Sequence, residues 1–219
     1  GTPLSHASNI PLFLFGAFIT LGSALLFWLV SLVLIETDKR GVFIQGAFRG
    51  NLGIIGIALV FNAYGTEMLA VASLYMALIA IIDNPLSIII LSPKGQKSHK
   101  SILTNPIIIA VFLGLVFSGL HVSIPTFINQ SGQYLAQMTL PLALICIGGS
   151  LYWENFQSHS KDVIWATLCK LLLLPLLGTA LAIYLGFRDK ELGLIYLMLS
   201  SPTAVSSYIM AKKMTLHGT

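Results

Sequence analysis

The chain has 219 residues, of which 56% are hydrophobic and 9% charged, with a mean hydropathy of +0.87. Soluble domains carry about 25% charged residues, and twelve Lys/Arg with eight Asp/Glu cannot coat a soluble domain of this length. The composition argues against a soluble enzyme, a disordered chain and a secreted disulfide scaffold.

Residues 10–35 contain no Asp, Glu, Lys or Arg over 26 positions. A bilayer core of about 30 Å needs about 20 apolar helical residues, so this stretch predicts a membrane span. It is too long, and wrongly flanked, for a signal peptide. Residues 41–61 form the weakest span, holding Arg49 and the glycines at 41, 46, 50, 53 and 56. Residues 68–92 are apolar except for Asp83. Residues 101–153 carry no charge across 53 positions and are interrupted by Pro125, Asn129, Gln130, Ser131, Gly132 and Gln133. That block predicts two spans, about 106–120 and 134–152, with a polar connection between them. Residues 163–187 are apolar except for Lys170, and residues 192–211 carry no charge. Seven spans result. They are too long and too uniformly apolar for barrel strands, which alternate over about 10 residues, so helices are expected throughout.

The loops orient the chain. Taken alternately from the first residue, one side holds only Arg188 and Lys190. The other holds Lys39, Arg40, Lys94, Lys97, Lys100, Lys161, Lys212 and Lys213. The positive-inside rule places the richer side in the cytoplasm, with the first residue outside and the last inside a cell membrane. This asymmetry accounts for the net charge of +4, and no nucleic-acid partner is expected. Cys146 and Cys169 match no metal or redox spacing and read as packing residues. The five histidines form no ligand pattern, and no metal or cofactor is expected. The chain starts with Gly1 and ends soon after a span, as expected of a piece of a longer protein.

Two segments look like copies of one unit. One begins Asp38-Lys39, the other Asp189-Lys190; each follows a long apolar span, contains a helix rich in small residues and closes on a glycine. An offset that sets Gly65 on Gly218 places Gly50 on Thr203 and Asn51 on Ala204. The spans preceding the two copies run in opposite directions, which is the pattern of an inverted-repeat secondary transporter. The run Ser200-Ser201-Pro202-Thr203-Ala204-Val205-Ser206-Ser207 contains a proline that breaks the helix ladder. Interrupted helices at matching places in two halves point to a substrate site near the midplane; tight helix packing is the competing explanation.

Three charges fall inside spans. Arg49 and Lys170 lie eight and seven residues from a cytoplasmic span end, where a long side chain reaches the interface or forms an ion pair. Asp83 is too short for that. It reads equally as a coupling group or as the partner of Lys170 or Arg49.

Four segments, 45–59 (QGAFRGNLGIIGIAL), 105–120 (NPIIIAVFLGLVFSGL), 140–151 (LPLALICIGGSL) and 200–213 (SSPTAVSSYIMAKK), resemble the auxin efflux carrier family. This group includes plant auxin exporters and bacterial malate or malonate permeases. The short loop at 93–101 is similar to the bacterial branch. The resemblance implies ten spans in two inverted five-span repeats, with the fourth and ninth helices broken and crossing beside the substrate. This chain then supplies spans three to nine. Residues 1–93 are the remainder of the first repeat, 94–104 a cytoplasmic loop and 105–219 the second repeat without its last span. Asn51 falls on the polar position of the fourth-helix motif, and Pro202 with Thr203 on the ninth-helix break. Ala58 stands where the family usually has proline, which implies a milder break resting on Gly53 and Gly56.

The expected protein is thus an all-α polytopic membrane protein. It moves a small organic anion, such as a dicarboxylate or an auxin-like acid, by alternating access. The expected substrate-binding residues are Arg49, Asn51, Gly53, Pro202, Thr203, Ser206 and Ser207. Asp83 and Lys170 are the intramembrane charges open to coupling. Proton coupling and a homodimer are compatible with this reading. A seven-span receptor or retinal protein is the alternative, although the last span, 192–211, has no lysine for a Schiff base. No catalytic zinc motif, aspartate pair, nucleophile elbow or Walker sequence is present, so an enzyme is not expected.

Overall fold

A computed structural model describes residues 9–92, 106–120, 125–149 and 160–215. Among them every regular element is helical: α1 (Ile10–Leu34), α2 (Arg40–Phe48), α3 (Ile57–Tyr64), α4 (Leu69–Leu91), α5 (Pro106–Gly119), α6 (Thr126–Gly149), α7 (Ser160–Leu168), α8 (Leu174–Tyr184), α9 (Asp189–Leu199) and α10 (Val205–Met214). Single wide turns of π-type hydrogen bonding, Leu52–Gly56 and Cys169–Leu173, lead into α3 and join α7 to α8. Three stretches are long and apolar enough to cross a bilayer: Ile10–Leu34, Leu69–Leu91 and Lys161–Tyr184. The chain is an all-α polytopic membrane protein.

The sorting of residues follows the bilayer rather than water. On α1 the buried face mixes small residues, Gly16, Ser23, Ala24 and Ser31, with Leu12, Phe15, Ile19 and Phe27, whereas Leu14, Phe18, Leu21, Leu25 and Trp28 face outward. Lipid is as apolar as leucine, so helices gain little by hiding large side chains and more by letting small ones bring backbones together. The buried hydroxyls need partners, and Ser23 and Ser31 donate to carbonyls of their own helix at 2.9 and 2.6 Å. One core joins α1, α2, α4, α8 and α9 through Phe15, Phe27, Phe43, Ala47, Tyr75, Leu174 and Ile195. α5 packs against α4.

Helix ends are tied at both extremities of this bundle. Arg40 donates to the carbonyls of Ser31, Leu32 and Ile35 at 3.1–3.2 Å, placing a cation on the negative end of α1. Lys39 pairs with Glu36 at 2.6 Å and reaches Asp162 at 3.8 Å. The hydrogen bond that Lys39 donates to Glu36 leads the contributions that raise the pKa of Lys39 above its ordinary value. At the other extremity Lys190 pairs with Glu67.

One sequence expectation needs correction. The polar stretch before the span at 134–152 is not a connecting loop, because α6 already runs from Thr126. Asn129, Gln130, Ser131 and Gln133 are only mildly unfavourable in a helix, and Pro125 sits just outside it, where its missing amide costs nothing. The span at 163–187 is borne out as the continuous helix Lys161–Tyr184, with the wide turn Cys169–Leu173 inside it. The loop at 94–104 and all five histidines lie outside the described residues.

Candidate substrate site at the helix crossing

Two helices are broken, and their breaks meet. α2 ends at Phe48, Arg49 is extended, and Gly50 and Asn51 stay outside the helix before the chain coils again. α9 ends at Leu199, and the chain resumes as α10 only at Val205. Pro202 has no amide hydrogen to continue a ladder, so its segment cannot be helical without a lost bond. Between the breaks lies a single antiparallel bridge, Gly50 to Thr203. The Asn51 amide donates to the Pro202 carbonyl at 2.7 Å, and the Ala204 amide donates to the Arg49 carbonyl at 3.3 Å. Each unwound segment therefore satisfies the other's backbone, which hydrocarbon cannot do.

The sequence explains why the crossing can be so close. A Cβ on Gly50 would lie 2.6 Å from Ser201 Oγ and 3.1 Å from Lys170 Nζ. A Cβ on Gly56 would lie 2.7 Å from Met198 Sδ. The first break thus centres on Gly50. Gly53 and Gly56, on which a mild break was expected to rest, belong to the wide turn that follows it. There the Asn51 carbonyl accepts from the amides of both Ile55 and Gly56, at 3.0 and 2.9 Å.

A cavity of about 310 Å³ opens beside this bridge. Its wall is polar at Arg49, Asn51, Asp83, Asn84 and Ser206, and apolar at Leu52, Ile54, Met76, Val205 and Ile209; the Gly53 backbone lies between. Of the residues singled out in the sequence, Arg49, Asn51, Gly53, Asp83 and Ser206 come together on the wall. Pro202, Thr203, Ser207 and Lys170 are not wall residues. Thr203 Oγ1 donates to the Gly46 carbonyl at 2.8 Å, which ties α2 to the second break.

Neither long cation reaches a span end. Arg49 is 4% exposed and Lys170 2%, so snorkelling is ruled out for both. Arg49 Nη2 donates to Asn84 Oδ1 at 2.7 Å, and Nη1 lies 2.9 Å from Met210 Sδ. Among the described residues no carboxylate approaches either cation within 4 Å. Asp83 acts on both only through space. Lys170 Nζ donates to the Leu199 carbonyl at 3.2 Å. Two buried polar atoms on the facing segments have no hydrogen-bond partner, Asn51 Nδ2 and Ser207 Oγ.

Asn84 is the site residue that sequence reasoning passed over. Its Nδ2 donates to the Ala80 carbonyl at 2.7 Å, which fixes the amide so that its oxygen faces Arg49. The available signal was an uncharged amide preceding Pro85 in an otherwise apolar span.

Two interrupted helices crossing beside a polar cavity are the architecture of a membrane transport protein. The sequence matches the family described as membrane transport protein over residues 96–218, more than half of the chain. The chain belongs to this family, the auxin efflux carrier family that its motifs resemble. An uncharacterized transporter of Methanothermobacter thermautotrophicus is 25% identical over 182 residues, 81% of this chain and 59% of that protein. An uncharacterized transporter of Methanocaldococcus jannaschii is 24% identical over 80% of this chain and 59% of its own length. One from Escherichia coli is 24% identical over 76% and 56% respectively. The chain thus spans a little over half the length of these relatives.

Proposed function

We propose that this protein is a secondary transporter that carries a small organic anion through the cavity at the helix crossing by alternating access. The observation that carries this reading is Arg49. Its guanidinium is buried and lies on the cavity wall, and among the described residues its hydrogen-bond partners are a neutral amide oxygen and a thioether sulphur. A buried cation without a contacting anion is costly, and a carboxylate entering the cavity relieves that cost. The N-terminal end of α10 also borders the cavity and adds a favourable partial charge. Asn51 Nδ2 is a donor in want of an acceptor. The apolar wall at Leu52, Ile54 and Ile209 suits a hydrocarbon body attached to the acid group.

The first repeat comprises α1 to α4 and the second begins at α5. Gly50 and Thr203, the pair that the repeat alignment sets opposite one another, meet at the bridge. A two-fold relation between the halves gives that meeting a simple origin. Uptake of labelled dicarboxylates and indole acids into proteoliposomes tests the function. Transport of either class supports it, and failure of both with the reconstituted protein overturns it. Asn51→Ala and Thr203→Ala are expected to slow transport, and an unchanged rate in both would remove the crossing as the substrate site. Asp83 is the proposed proton carrier. Asp83→Asn is expected to abolish the response of uptake to an imposed pH gradient; a full response in that variant excludes the role.

A further inference from the structure

The ammonium of Lys170 has no function in the scheme above. It does not line the cavity, and among the described residues it has no carboxylate within 4 Å. Burying it is expensive, so its surroundings must supply compensation. They comprise oxygen atoms at a helix end in direct contact and, at longer range, the Asp83 carboxylate, which acts on Lys170 through space. Lys170 Nζ donates to the carbonyl of Leu199, the last residue of α9. The same space, in front of the Gly50 Cα, is bordered by Ser201 Oγ. Ser201 is fully buried, and its hydroxyl donates to the Met198 carbonyl, so a lone pair of its oxygen stays available.

A main-chain carbonyl and a hydroxyl at the negative end of an interrupted helix are the kind of ligand that holds a small monovalent cation in a transporter. Hard cations favour such oxygen ligands. Here that place is filled from within the chain. The wide turn Cys169–Leu173 puts Lys170 on the face directed at the crossing, and Gly50 leaves room for its Nζ. We infer that the Lys170 ammonium is a tethered substitute for a dissociable coupling cation, so that the protein neither binds nor requires sodium at its broken second helix. The inference deepens the proposed transport function, because it states which ion that function does without.

Its test does not depend on knowing the substrate. Thermal unfolding of the purified protein is measured in sodium chloride and in choline chloride. The wild type is expected to unfold at the same temperature in both. Lys170→Ala empties the place, and it is expected to lose several degrees in choline and to recover part of the loss in sodium. The recovery should rise with the logarithm of sodium concentration, as binding to the folded state requires. Lys170→Met fills the space without charge and is expected to lose stability without sodium-dependent recovery. Lys170→Arg keeps the charge and is expected to remain indifferent to sodium.

Saturable stabilisation of the wild type by sodium overturns the inference. So does a folded Lys170→Ala protein that ignores sodium. If Lys170→Ala does not fold, the wild-type comparison still decides, joined by uptake of whichever anion is transported in sodium-free medium. Uptake that stops without sodium refutes the inference while leaving anion transport intact. Absence of all anion transport refutes the transport reading and leaves the thermal result standing.

Discussion

In the proposed substrate site, Arg49 and Asn84 would set the chemistry of the cavity between them. The amide oxygen holds the guanidinium without neutralising it, and the guanidinium therefore keeps its attraction for an anion. Charge-assisted hydrogen bonds are worth about 1.5–3 kcal/mol. Arg49→Gln is accordingly expected to lower transport at limiting substrate by about 10- to 100-fold, read as initial uptake rates in proteoliposomes. Asn84→Asp is a sharper probe. It sets a resident carboxylate where the neutral oxygen stood, so the guanidinium is satisfied before substrate arrives. That variant is expected to unfold at an unchanged or higher temperature and to show a raised KM for the transported anion. A lowered KM would show that Asn84 does not keep Arg49 available. That Arg49 called for an explanation was legible in the sequence, because a cation in an apolar span needs a reason. Its partner was not, because attention to charge favours Asp83, one residue away.

At the scale of elements, the crossing depends on close approach and on the absence of one amide hydrogen. Gly50→Val pushes a branched side chain into Ser201 Oγ and Lys170 Nζ. Overpacking of this kind costs about 1–3 kcal/mol, so a lower unfolding temperature is expected together with loss of transport. Pro202→Ala separates the two properties. It restores a donor to the second break and removes the ring's obstruction to a helix, while the Pro202 carbonyl that accepts from Asn51 has an equivalent in alanine. Stability is expected to hold and uptake to fall. Equal loss of both would show that proline serves packing alone. The second break was visible in the sequence through Pro202 and its serines. The first was only half visible. Gly50 is one of many glycines between 41 and 65, and nothing local distinguishes it. It stands out only once Ser201 and Lys170, some 150 and 120 positions further along, are packed against it. The wide turn at Cys169–Leu173 was not legible either, since its residues Cys-Lys-Leu-Leu-Leu suit an ordinary helix.

At the scale of the whole molecule, the ion pairs sort to the two ends of the bundle. Lys39, Glu36 and Asp162 lie together at one end, and Lys190 with Glu67 at the other. At that second end the Tyr64 ring and hydroxyl also rest where a side chain on residue 193 would stand, so any larger residue there requires Tyr64 to move. The distribution of lysine and arginine predicts that the Lys190 end is outside. Cysteine at position 190 is then expected to react with a membrane-impermeant maleimide in intact cells, and cysteine at position 39 only after permeabilisation. The reverse pattern would invert the proposed orientation. Composition alone made the membrane class and the helical content legible, because hydrocarbon allows so few backbone solutions. How the helices sort their faces was not legible, since a span that is apolar all round carries no periodic signal of its buried side.

The bridge between Gly50 and Thr203 is held by main-chain donors and acceptors. The frame of the crossing therefore does not specify which side chains project into the cavity from Asn51, Asn84 or Ser206. Under the proposed transport function, cargo preference can then drift by exchange of those side chains, one substitution at a time, without dismantling the scaffold.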